Sequence, residues 1–573
     1  MSLSNKEIAK YFEELAKYVE LADENPFRVR AYEDAAQVIA NYPRSIEEMV
    51  RAGEDLTKLP HIGEKIAKKI EEIVTTGRMS ALGNYKKKFP EGLLDILAIP
   101  GLGPKRVREL HEMLGIENLD DLREAAQQHK IRELPGFSEK LEARILEGVM
   151  MRKQEGHRFL YADVEPYAED YVAYMQGAPA VKKAVVAGSF RRRKETVGDL
   201  DMVVVTTSPS AAVKHFVAYD KCKEVIAEGE SRTTVVLQNG LQVDLKTARP
   251  SNYGPTLNYF TGSRAHTLAL RKMAKERGWK INEYGIFDEN GVDICGRTEK
   301  SFYKALGLDY IEPELREMRG EIEAAKNHTL PKLIKQRHIR GDLHMHTHYS
   351  DGNNSVAEMA DAARAKGYEY IAITDHSYHI PLLHGMTPEK TYQQFEEIDA
   401  YNQAQPDFTV LKGMEVDILE DGSLAMEDEI LRQLDVVIVS VHDHFNLTKK
   451  AQTKRIVKAI SNPYVHILGH PTGRLIGKRP PYEVDMEKIF DAAYQYGVVM
   501  EINAQPTRLD LNDIYAKTAK EKGLKFAIDS DAHHTYCLDF MKYGVYQARR
   551  GWLEKSDVIN TYSLKKLKKF LKR

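Results

Sequence analysis

The feature that most constrains the fold is a repeated pattern that begins near Arg340. Short apolar runs alternate with amphipathic stretches, and each run ends in a histidine, an aspartate or a glutamate. Alternation of strands with helices predicts a parallel sheet or barrel. Because the carboxyl ends of barrel strands share one face, these polar residues should converge although they lie far apart in sequence. The runs are DLHMHTHYSDG, YIAITDHS, TVLKGMEVDI, DVVIVSVHDH, VHILGHPTG, VVMEINAQ and KFAIDSDAHH.

We single out nine ligand-type residues in these runs, taken from successive strands. One histidine at a strand end is usually a hydrogen-bonded polar residue, whereas nine such residues on successive strands indicate a metal centre. Mixed imidazole and carboxylate ligands suit Zn²⁺, Mn²⁺ or Fe²⁺ better than Mg²⁺. Such a centre can activate water and bind a phosphate, so we expect phosphoester hydrolysis. The predicted ligands are His344, His346, Asp351, His376, Glu415, His442, His470, Asp531 and His533.

A second acidic cluster is predicted in the middle of the chain. In GSFRRRKETVGDLDMVVV (188–205), Asp199 and Asp201 are two residues apart and face one side of a strand. The later stretch TTVVLQNGLQVDLK predicts a hairpin around an Asn-Gly turn, and its second strand carries Asp244. Three carboxylates on one sheet face repel one another unless cations lie between them, which predicts two Mg²⁺ or Mn²⁺ ions.

The turn before this cluster suits a triphosphate. Gly188 and Ser189 are small, and three arginines follow them as fixed positive charges. With YFTGS at 259–263 and INEYG at 281–285, the chain up to about residue 320 resembles the family X DNA polymerases. The resemblance implies that Asp199 and Asp201 hold both ions and that Asp244 helps to activate the primer 3′-hydroxyl. The residues that it implies for nucleotide binding are Gly188, Ser189, Arg192, Tyr259, Phe260, Gly262 and Arg271. One departure is Gln242, which stands where eukaryotic members have an arginine.

The N-terminal block contains an internal repeat. LPHIGEKIAKKI (59–70), IPGLGPKRVREL (99–110) and LPGFSEKLEARIL (134–146) each predict a tight turn that opens a helix, although Phe-Ser degrades the third copy. Free backbone N–H groups at such a turn can bind a phosphate. The repeats resemble helix-hairpin-helix motifs, which bind the DNA backbone without reading bases. The predicted backbone contacts are Gly63, Gly101, Gly103 and Lys105.

NPFRVRAYEDAAQVI, together with the first repeat, resembles the small lyase domain of the same family. The resemblance places Lys69 at the Schiff-base position and Arg28, Tyr32 and Lys65 at 5′-phosphate contacts. A Schiff-base amine must be deprotonated, so Lys69 would need desolvation or neighbouring cations. The alternative is a solvated lysine face on an amphipathic helix.

The last block resembles the polymerase and histidinol phosphatase (PHP) domain of bacterial family X polymerases. The resemblance implies three metals: His344, His346, Glu415 and Asp531 hold the first, and Glu415 bridges to a second held by His442 and His470. It gives Asp351, His376 and His533 to the third. His348 and His444 are expected beside the ligands or the substrate. His384, Arg474 and Arg508 are candidate contacts to a substrate phosphate.

The resemblances together imply a multidomain fold. We expect α-helical helix-hairpin-helix domains, an α+β nucleotidyltransferase palm with a thumb, and a C-terminal distorted (β/α)7 barrel. The predicted boundaries are 1–80 (lyase-like, 5′-phosphate binding), 81–155 (helix-hairpin-helix fingers), 156–250 (palm), 251–320 (thumb and nucleotide selection), 321–339 (charged helical linker) and 340–573 (PHP barrel).

Overall composition adds little about partners. The chain has 83 Lys+Arg against 85 Asp+Glu, so local motifs and not bulk charge would have to hold nucleic acid. No run is apolar enough to span a bilayer, and three scattered cysteines match no disulfide or zinc spacing. We expect a cytoplasmic, nucleoid-associated monomer whose partners are gapped or primed DNA and dNTPs.

The leading functional hypothesis is a DNA repair enzyme with two metal-dependent activities. A polymerase with Mg²⁺ or Mn²⁺ would fill short gaps in base excision repair. A barrel with Zn²⁺ or Mn²⁺ would act as a 3′–5′ exonuclease, a 3′-phosphatase or an endonuclease at abasic sites. One alternative is a DNA-tethered small-molecule phosphatase with an inactive polymerase core. Another is a purely structural metal barrel.

Overall fold

The structure is a computed structural model that divides into two compact units. Residues 3, 5–42, 44–97, 99, 102–139, 141–142, 145–146, 149, 158–229, 232–380 and 384–572 are described. The first unit comprises Met1–Arg158 and Ser208–Lys246, and the second comprises Phe159–Thr207 and Thr247–Arg573. None of the helices in the described ranges is long and apolar enough to cross a membrane.

The N-terminal part of the first unit is helical, as predicted. In its first helix Ile8, Phe12, Leu15 and Val19 follow the spacing of one helix face, and all are fully buried in a shared apolar core. The helices are Asn5–Leu21, Pro26–Asn41, Ile46–Arg51, Glu64–Thr76, Ser80–Lys88, Leu93–Leu97, Pro104–Leu114 and Leu119–Gln127, with a 3₁₀ turn at Leu56–Lys58.

The remainder of the first unit contains the predicted hairpin. Strands Arg232–Leu237 and Gln242–Ala248 pair antiparallel across a turn in which Gly240 has φ of 85°. Such a positive φ favours glycine, which explains the Asn-Gly sequence of the turn. Strand Cys222–Ala227 pairs on the other side of Arg232–Leu237, and helix Pro209–Val217 precedes it.

The part of the second unit before the barrel mixes strands and helices. Strand Val181–Val186 pairs antiparallel with Asp199–Thr206. Two further antiparallel pairs join Phe159–Leu160 to Thr196–Val197 and Lys280–Asn282 to Gly285–Phe287. The helices are Tyr161–Gln176, Gly188–Arg191, Tyr253–Thr261, Arg264–Lys275, Glu299–Ala305 and Glu321–Lys326, with 3₁₀ turns at Pro313–Leu315 and Gln336–His338.

The C-terminal block is a barrel of seven parallel strands in consecutive order, as predicted. A parallel bridge between Met345 and Ala532 connects the ends of the first and last strands. The strands are Gly341–Asp342, Tyr370–Ile373, Thr409–Asp417, Val436–Ser440, Ile467–Leu468, Val499–Asn503 and Phe526–Asp529. The helices are Val356–Ala365, Pro388–Ala404, Asp428–Leu431, Lys449–Ile460, Met486–Tyr496, Asp513–Glu521, Met541–Arg550 and Leu564–Leu571, with 3₁₀ turns at Thr535–Phe540, Lys555–Asp557 and Ile559–Thr561.

Both faces of the barrel strands are buried, which explains their continuous apolar sequences. In strand Tyr370–Ile373 alternate residues belong to two different apolar clusters. Ile371 and Ile373 pack with the surrounding helices, whereas Ala372 packs with residues of the other barrel strands and with Leu567 and Leu571 of the C-terminal helix. The polar residues of these segments lie at and beyond the carboxyl ends of the strands.

Candidate metal centre and nucleotide site

All nine predicted metal ligands lie at the carboxyl end of the barrel strands. Seven follow a strand by two to four residues, Asp351 lies further along the loop after the first strand, and Glu415 lies near the end of its strand. The position explains why residues so distant in sequence meet, since parallel strands bring their carboxyl ends to one rim.

Glu415 lies at the centre of the cluster and is completely buried. Its Oε1 is 2.9 Å from His470 Nε2 and 3.3 Å from His442 Nε2. Its Oε2 is 3.0 Å from His376 Nδ1 and 3.3 Å from His344 Nε2. Burial alone would raise the pKa of Glu415, but the surrounding imidazoles hold that pKa well below its usual range. The carboxylate is thus ionised and shared among several histidines.

Asp351 lies close to a second group of three histidines. Its Oδ2 is 3.2 Å from His533 Nε2, and its Oδ1 is 3.6 Å from His376 Nε2 and 3.9 Å from His346 Nδ1. The ring of His346 stacks between those of His376 and His533, with centroids 4.3 and 4.2 Å away. Burial opposes ionisation of Asp351, but the imidazoles lower its pKa.

Asp531 completes the cluster on a third side. Its Oδ1 is 3.2 Å from His346 Nε2 and 3.8 Å from His344 Nε2. Asn503 donates to its other oxygen at 3.0 Å, and Arg508 Nε lies 3.7 Å from that oxygen. Asp531 therefore has a fixed orientation toward His344 and His346, which follow the first strand.

The donor atoms fit metal ions. Three overlapping groups each bring their ligand atoms within 4.8 Å of one another. Several of these atoms are buried and have no hydrogen-bond partner among the described residues, including His344 Nε2, His346 Nδ1 and Glu415 Oε2. Buried polar atoms without partners are rare unless something else satisfies them, and here they face one another. The groups are His346, Asp351, His376 and His533; His344, His346 and Asp531; and His376, Glu415 and His442.

Two carboxylates that were not among the predicted site residues orient the histidines. Glu501 accepts from His344 Nδ1 at 2.6 Å and from the His470 backbone N–H at 2.5 Å. Asp417 lies 2.8 Å from His442 Nδ1. Such contacts fix the tautomer that leaves the other ring nitrogen for a metal. Asp417 stands two residues after Glu415 on one strand, so the period of a strand could have indicated it.

The charge environment differs from one histidine to another. Burial lowers the pKa of an imidazole, but at His442 the carboxylates of Glu415 and Asp417 outweigh it and raise the pKa to about 10. At His346 burial and two neighbouring imidazoles act together and lower the pKa to about 3. His346 is therefore neutral at physiological pH, whereas His442 would have to lose a proton when a metal binds.

The other barrel residues singled out in the sequence lie in different surroundings. His348 is exposed and stacks on Tyr349, and His444 lies beside Asp443 and Glu420. His384 is exposed and its carbonyl accepts from Lys390. Arg508 is beside the cluster, as described above. Arg474 is buried and donates to Glu195 and to the Leu509 carbonyl.

Among the predicted polymerase residues of the second unit, Gly188 and Asp201 approach each other so closely that only glycine fits at residue 188. Asp199 and Asp201 are half-buried on one face of strand Asp199–Thr206. Gly188 has φ of 58°, and a Cβ there would lie 2.3 Å from Asp201 Oδ2. A side chain at residue 188 would displace that carboxylate, while the adjacent Ser189 opens the short helix Gly188–Arg191.

Arg192 and the predicted nucleotide pocket also come together. Arg192 donates from Nη1 to the Thr261 carbonyl at 2.5 Å, and this nitrogen lies 3.3 Å from where a Cβ on Gly262 would be. Tyr259 and Phe260 pack edge to face with centroids 5.3 Å apart. The predicted template contact, Arg271, is exposed on helix Arg264–Lys275.

Asp244 lies in the first unit and is buried. Thr234 donates to its Oδ1 at 2.6 Å and Arg232 to its Oδ2 at 2.8 Å, both from the neighbouring strand. Gln242 lies 3.4 Å from Oδ1. Arg232, which was not among the predicted site residues, therefore supplies the positive charge that Gln242 lacks.

The structure also brings together the predicted 5′-phosphate contacts. Lys69 Nζ lies 5.9 Å from the ring centroid of Tyr32, and Lys69 contacts the carbonyl of Lys65 at 3.4 Å. The hydrogen bond from Arg28 to Tyr32 raises the pKa of Arg28, and the opposing effect of partial burial is smaller. Tyr32 is therefore the residue that links the other predicted contacts.

The predicted DNA-backbone turns open two helices. Gly63 and Gly103 precede helices Glu64–Thr76 and Pro104–Leu114, with open space where a Cβ would be. Lys105 is 80% exposed. Gly101 lies outside the described residues.

Comparison with known proteins places the chain in a family. Four family models match: a helix-hairpin-helix domain over residues 3–79, a SAM-like helix-hairpin-helix tandem over 93–149, the DNA polymerase beta thumb over 256–317 and the PHP domain over 342–505. The chain is 38% identical over 574 residues to the DNA polymerase/3′-5′ exonuclease PolX of Bacillus subtilis (strain 168), with full coverage of both proteins. It belongs to the family X DNA polymerases that carry a PHP domain.

Further relatives match the barrel alone. A probable phosphatase of Thermoanaerobacter sp. (strain X514) is 33% identical over 243 residues, which cover 40% of this chain and 94% of that protein. A probable phosphatase of Acetivibrio thermocellus is 30% identical over 246 residues, which cover 40% of this chain and 95% of that protein. The barrel thus has relatives without a polymerase part.

Proposed function

We propose that this protein is a DNA-directed DNA polymerase that fills short gaps during base excision repair, and that its barrel trims or cleaves DNA. The observation that carries the proposal is the full-length similarity to a protein named DNA polymerase/3′-5′ exonuclease, which covers both predicted centres. The pairing is chemically coherent because hydrolysis at a 3′ end leaves the hydroxyl that polymerisation needs. Gapped or primed DNA and dNTPs are the proposed substrates.

In the polymerase centre Asp199, Asp201 and Asp244 would hold two Mg²⁺ or Mn²⁺ ions. Bound ions would neutralise charge on the reacting phosphates and stabilise the attacking and leaving oxygens. Ser189 and Arg192 bind the triphosphate, and Asp244 accepts the proton of the primer 3′-hydroxyl. Tyr259 and Phe260 face the incoming sugar and disfavour a ribose 2′-hydroxyl.

In the barrel the nine clustered histidines and carboxylates would hold up to three ions, with Zn²⁺ and Mn²⁺ as the proposed metals. Bound ions would lower the pKa of a water molecule and bind the phosphate to be cleaved. Arg508, whose side chain is 21% exposed beside Asp531, binds a non-bridging phosphate oxygen. The proposed substrates are DNA 3′ ends, 3′-phosphates and abasic sites.

Two double variants test whether the centres are separate. Asp199→Ala with Asp201→Ala should abolish dNTP incorporation on primed DNA and leave 3′-end hydrolysis unchanged. His344→Ala with His346→Ala should abolish hydrolysis and leave incorporation unchanged. If either folded variant lost both activities, the proposal of two separate centres would be wrong.

Turns at the starts of two N-terminal helices would bind the DNA backbone through Gly63, Gly101, Gly103 and Lys105.

We also propose that Arg28, Tyr32 and Lys65 bind a 5′-phosphate and that Lys69 acts as a 5′-deoxyribose phosphate lyase. The position of Lys69 beside Tyr32 supports this proposal. Borohydride should trap wild-type protein on an abasic-site oligonucleotide. Trapping that persists in Lys69→Ala would exclude Lys69 from the chemistry.

A second candidate function is a DNA-tethered small-molecule phosphatase with an inactive polymerase core. The barrel relatives named probable phosphatases favour it. Primer extension with Mg²⁺ or Mn²⁺ distinguishes the two functions, because only the polymerase would incorporate dNTPs.

A further inference from the structure

Two barrel side chains hold the loop 192–195, which follows the proposed triphosphate-binding turn. Arg550, at the end of a barrel helix, donates from Nη1 to the Arg192 carbonyl at 2.7 Å. Arg474 donates from Nη2 to Glu195 at 2.7 Å. The loop is therefore fixed at both ends by residues distant in sequence, neither of which is a predicted metal ligand.

The side chain of Arg192 is held as firmly as its backbone. Its Nε donates to Glu317 Oε1 at 3.0 Å, and Arg550 Nη1 donates to the same oxygen at 3.1 Å. Burial would raise the pKa of Glu317, but Arg550 and Arg192 lower it to about 2. With Nη1 bound to the Thr261 carbonyl, these contacts leave Nη2 of Arg192 to meet a phosphate.

Arg550 has its own anchor on a neighbouring barrel helix. Its side chain is 3% exposed, and Nη2 donates to Asp513 Oδ2 at 2.6 Å. Arg319 lies 2.9 Å from the same carboxylate. Because two carboxylates face more than two cations, the cluster has an excess of positive charge that suits a triphosphate. The cations are Arg192, Arg319 and Arg550.

We propose that Arg550 of the barrel is a positioning residue for the polymerase, which holds Glu317 and the loop 192–195 so that Arg192 points toward the triphosphate of the incoming dNTP. The proposal rests on the proposed polymerase function. It makes the barrel a structural part of the dNTP site, separate from any hydrolysis that the barrel performs.

The neighbouring residue provides a matched control. Arg549 lies on the same helix and also pairs with a buried glutamate, Glu314, at 2.7 Å, but it donates to the Ile334 carbonyl and not to the loop. Arg549→Met therefore removes the same charge and a similar ion pair. Arg550→Met should raise the KM for dNTP by at least about tenfold, because a misplaced Arg192 would bind the triphosphate less well. The change in kcat should be smaller.

The experiment compares wild type, Arg550→Met, Arg550→Lys and Arg549→Met in primer extension on gapped DNA. Arg550→Lys, which can still donate to the Arg192 carbonyl, should recover part of the loss and serves if Arg550→Met does not fold. Hydrolysis of a phosphomonoester should be the same in all folded variants. The proposal is overturned if the dNTP KM is unchanged in both Arg550 variants or rises equally in Arg549→Met.

Hydrogen exchange gives a second measurement that does not require polymerase activity. Amides of the loop 192–195 should exchange faster in Arg550→Met and at the wild-type rate in Arg549→Met. If wild-type protein incorporated no dNTP, the proposed polymerase function would be wrong. The positioning of the loop by Arg550 would then be supported by faster loop exchange in Arg550→Met alone and overturned by unchanged exchange.

Discussion

At the scale of single residues, the candidate metal centre contains histidines whose two ring nitrogens have different partners. His442 presents Nε2 to Glu415 and Nδ1 to Asp417, and His344 presents Nε2 to Glu415 and Nδ1 to Glu501. One nitrogen faces the centre and the other is held by a carboxylate outside it. This arrangement fixes ring orientation before any metal binds.

Asp417→Asn should weaken metal binding at His442. An amide can still contact Nδ1, but it supplies no negative charge and does not enforce the tautomer that leaves Nε2 unprotonated. Loss of such a partner typically lowers metal affinity or activity by about 10–100-fold, and phosphoester hydrolysis should fall by a similar factor. Metal content by elemental analysis and hydrolysis rates at limiting metal measure both effects.

The control for this variant is Glu420→Gln. Glu420 is 62% exposed and its contact is His444, at 3.6 Å, so metal content and hydrolysis should match the wild type. Equal losses in the two variants would show that the orientation of His442 is not the cause.

Gly188→Ala tests the close approach between the glycine turn and Asp201. Gly240→Ala is the matched control, because Gly240 also has a positive φ but has nothing within 4 Å of an added Cβ. Both variants should lose about 1–2 kcal/mol of unfolding free energy from the left-handed backbone. Only Gly188→Ala should also abolish dNTP incorporation, since its Cβ displaces the Asp201 carboxylate. Denaturant unfolding and primer extension distinguish the two effects, and normal incorporation by Gly188→Ala would contradict this account.

Site residues that recur at strand ends could be predicted from the sequence, whereas residues that contact them from a neighbouring strand could not. The nine predicted ligands lie at or beyond the ends of apolar runs, and the structure places all nine at one rim. Glu501 lies inside the run VVMEIN, and Arg232 acts across a hairpin whose register fixes its distance from Asp244. Cross-strand register and side-chain direction depend on three-dimensional pairing, so periodicity in one segment could not supply these contacts.

At the scale of elements, helix Glu299–Ala305 begins at a buried acid that joins two arginines. Glu299 accepts from Arg191 at 2.9 Å and from Arg316 at 2.8 Å, and its side chain is 8% exposed. Burial would raise the pKa of Glu299, but the two guanidinium groups lower it from 4.5 to about 2. The element that follows the predicted nucleotide pocket is thus held by charge as well as by apolar packing.

This shift predicts acid sensitivity. A carboxyl whose folded pKa is depressed stabilises the fold above its unfolded pKa, and the contribution is lost as the pH falls through the folded pKa. The loss should occur between pH 4.5 and about 2 and amount to about 3 kcal/mol, taking about 1.4 kcal/mol for each pKa unit. Unfolding free energies at pH 6 and pH 3 should differ less in Glu299→Gln than in wild type.

Glu289→Gln, at an exposed position in the same unit, should keep the wild-type pH dependence. If Glu299→Gln also kept it, the ion pairs of Glu299 would not be the source of the acid sensitivity.

The segment 321–339 is more buried than its charged sequence predicts. Its charged composition predicts a helical linker, and the structure does contain helix Glu321–Lys326. However, Glu321 and Ile334 are fully buried, and Ile334 donates its N–H to the Leu553 carbonyl. Burial of a charged segment depends on partners elsewhere in the chain, here His266 for Glu321, which local composition cannot reveal.

At the scale of the whole molecule, residues 159–207 belong to the same compact unit as the barrel. Glu165 accepts from Tyr543 at 2.9 Å and pairs with Lys542 at 2.6 Å. The ring of Tyr161 packs against Tyr543 with centroids 6.1 Å apart. Because these buried contacts join the segment to the barrel, the two should unfold cooperatively.

Metal removal should therefore affect the proposed polymerase centre. If the barrel binds metal, ions at about a thousand times their Kd stabilise the native state by about 4 kcal/mol. Chelation with EDTA should then lower hydrogen-exchange protection in strand Asp199–Thr206 by up to about a thousandfold, together with the barrel strands. Helices Asn5–Leu21 and Pro26–Asn41 of the first unit serve as the internal control and should keep their protection. Loss of protection confined to the barrel would show that residues 159–207 fold independently of it, despite the buried contacts of Glu165 and Tyr161.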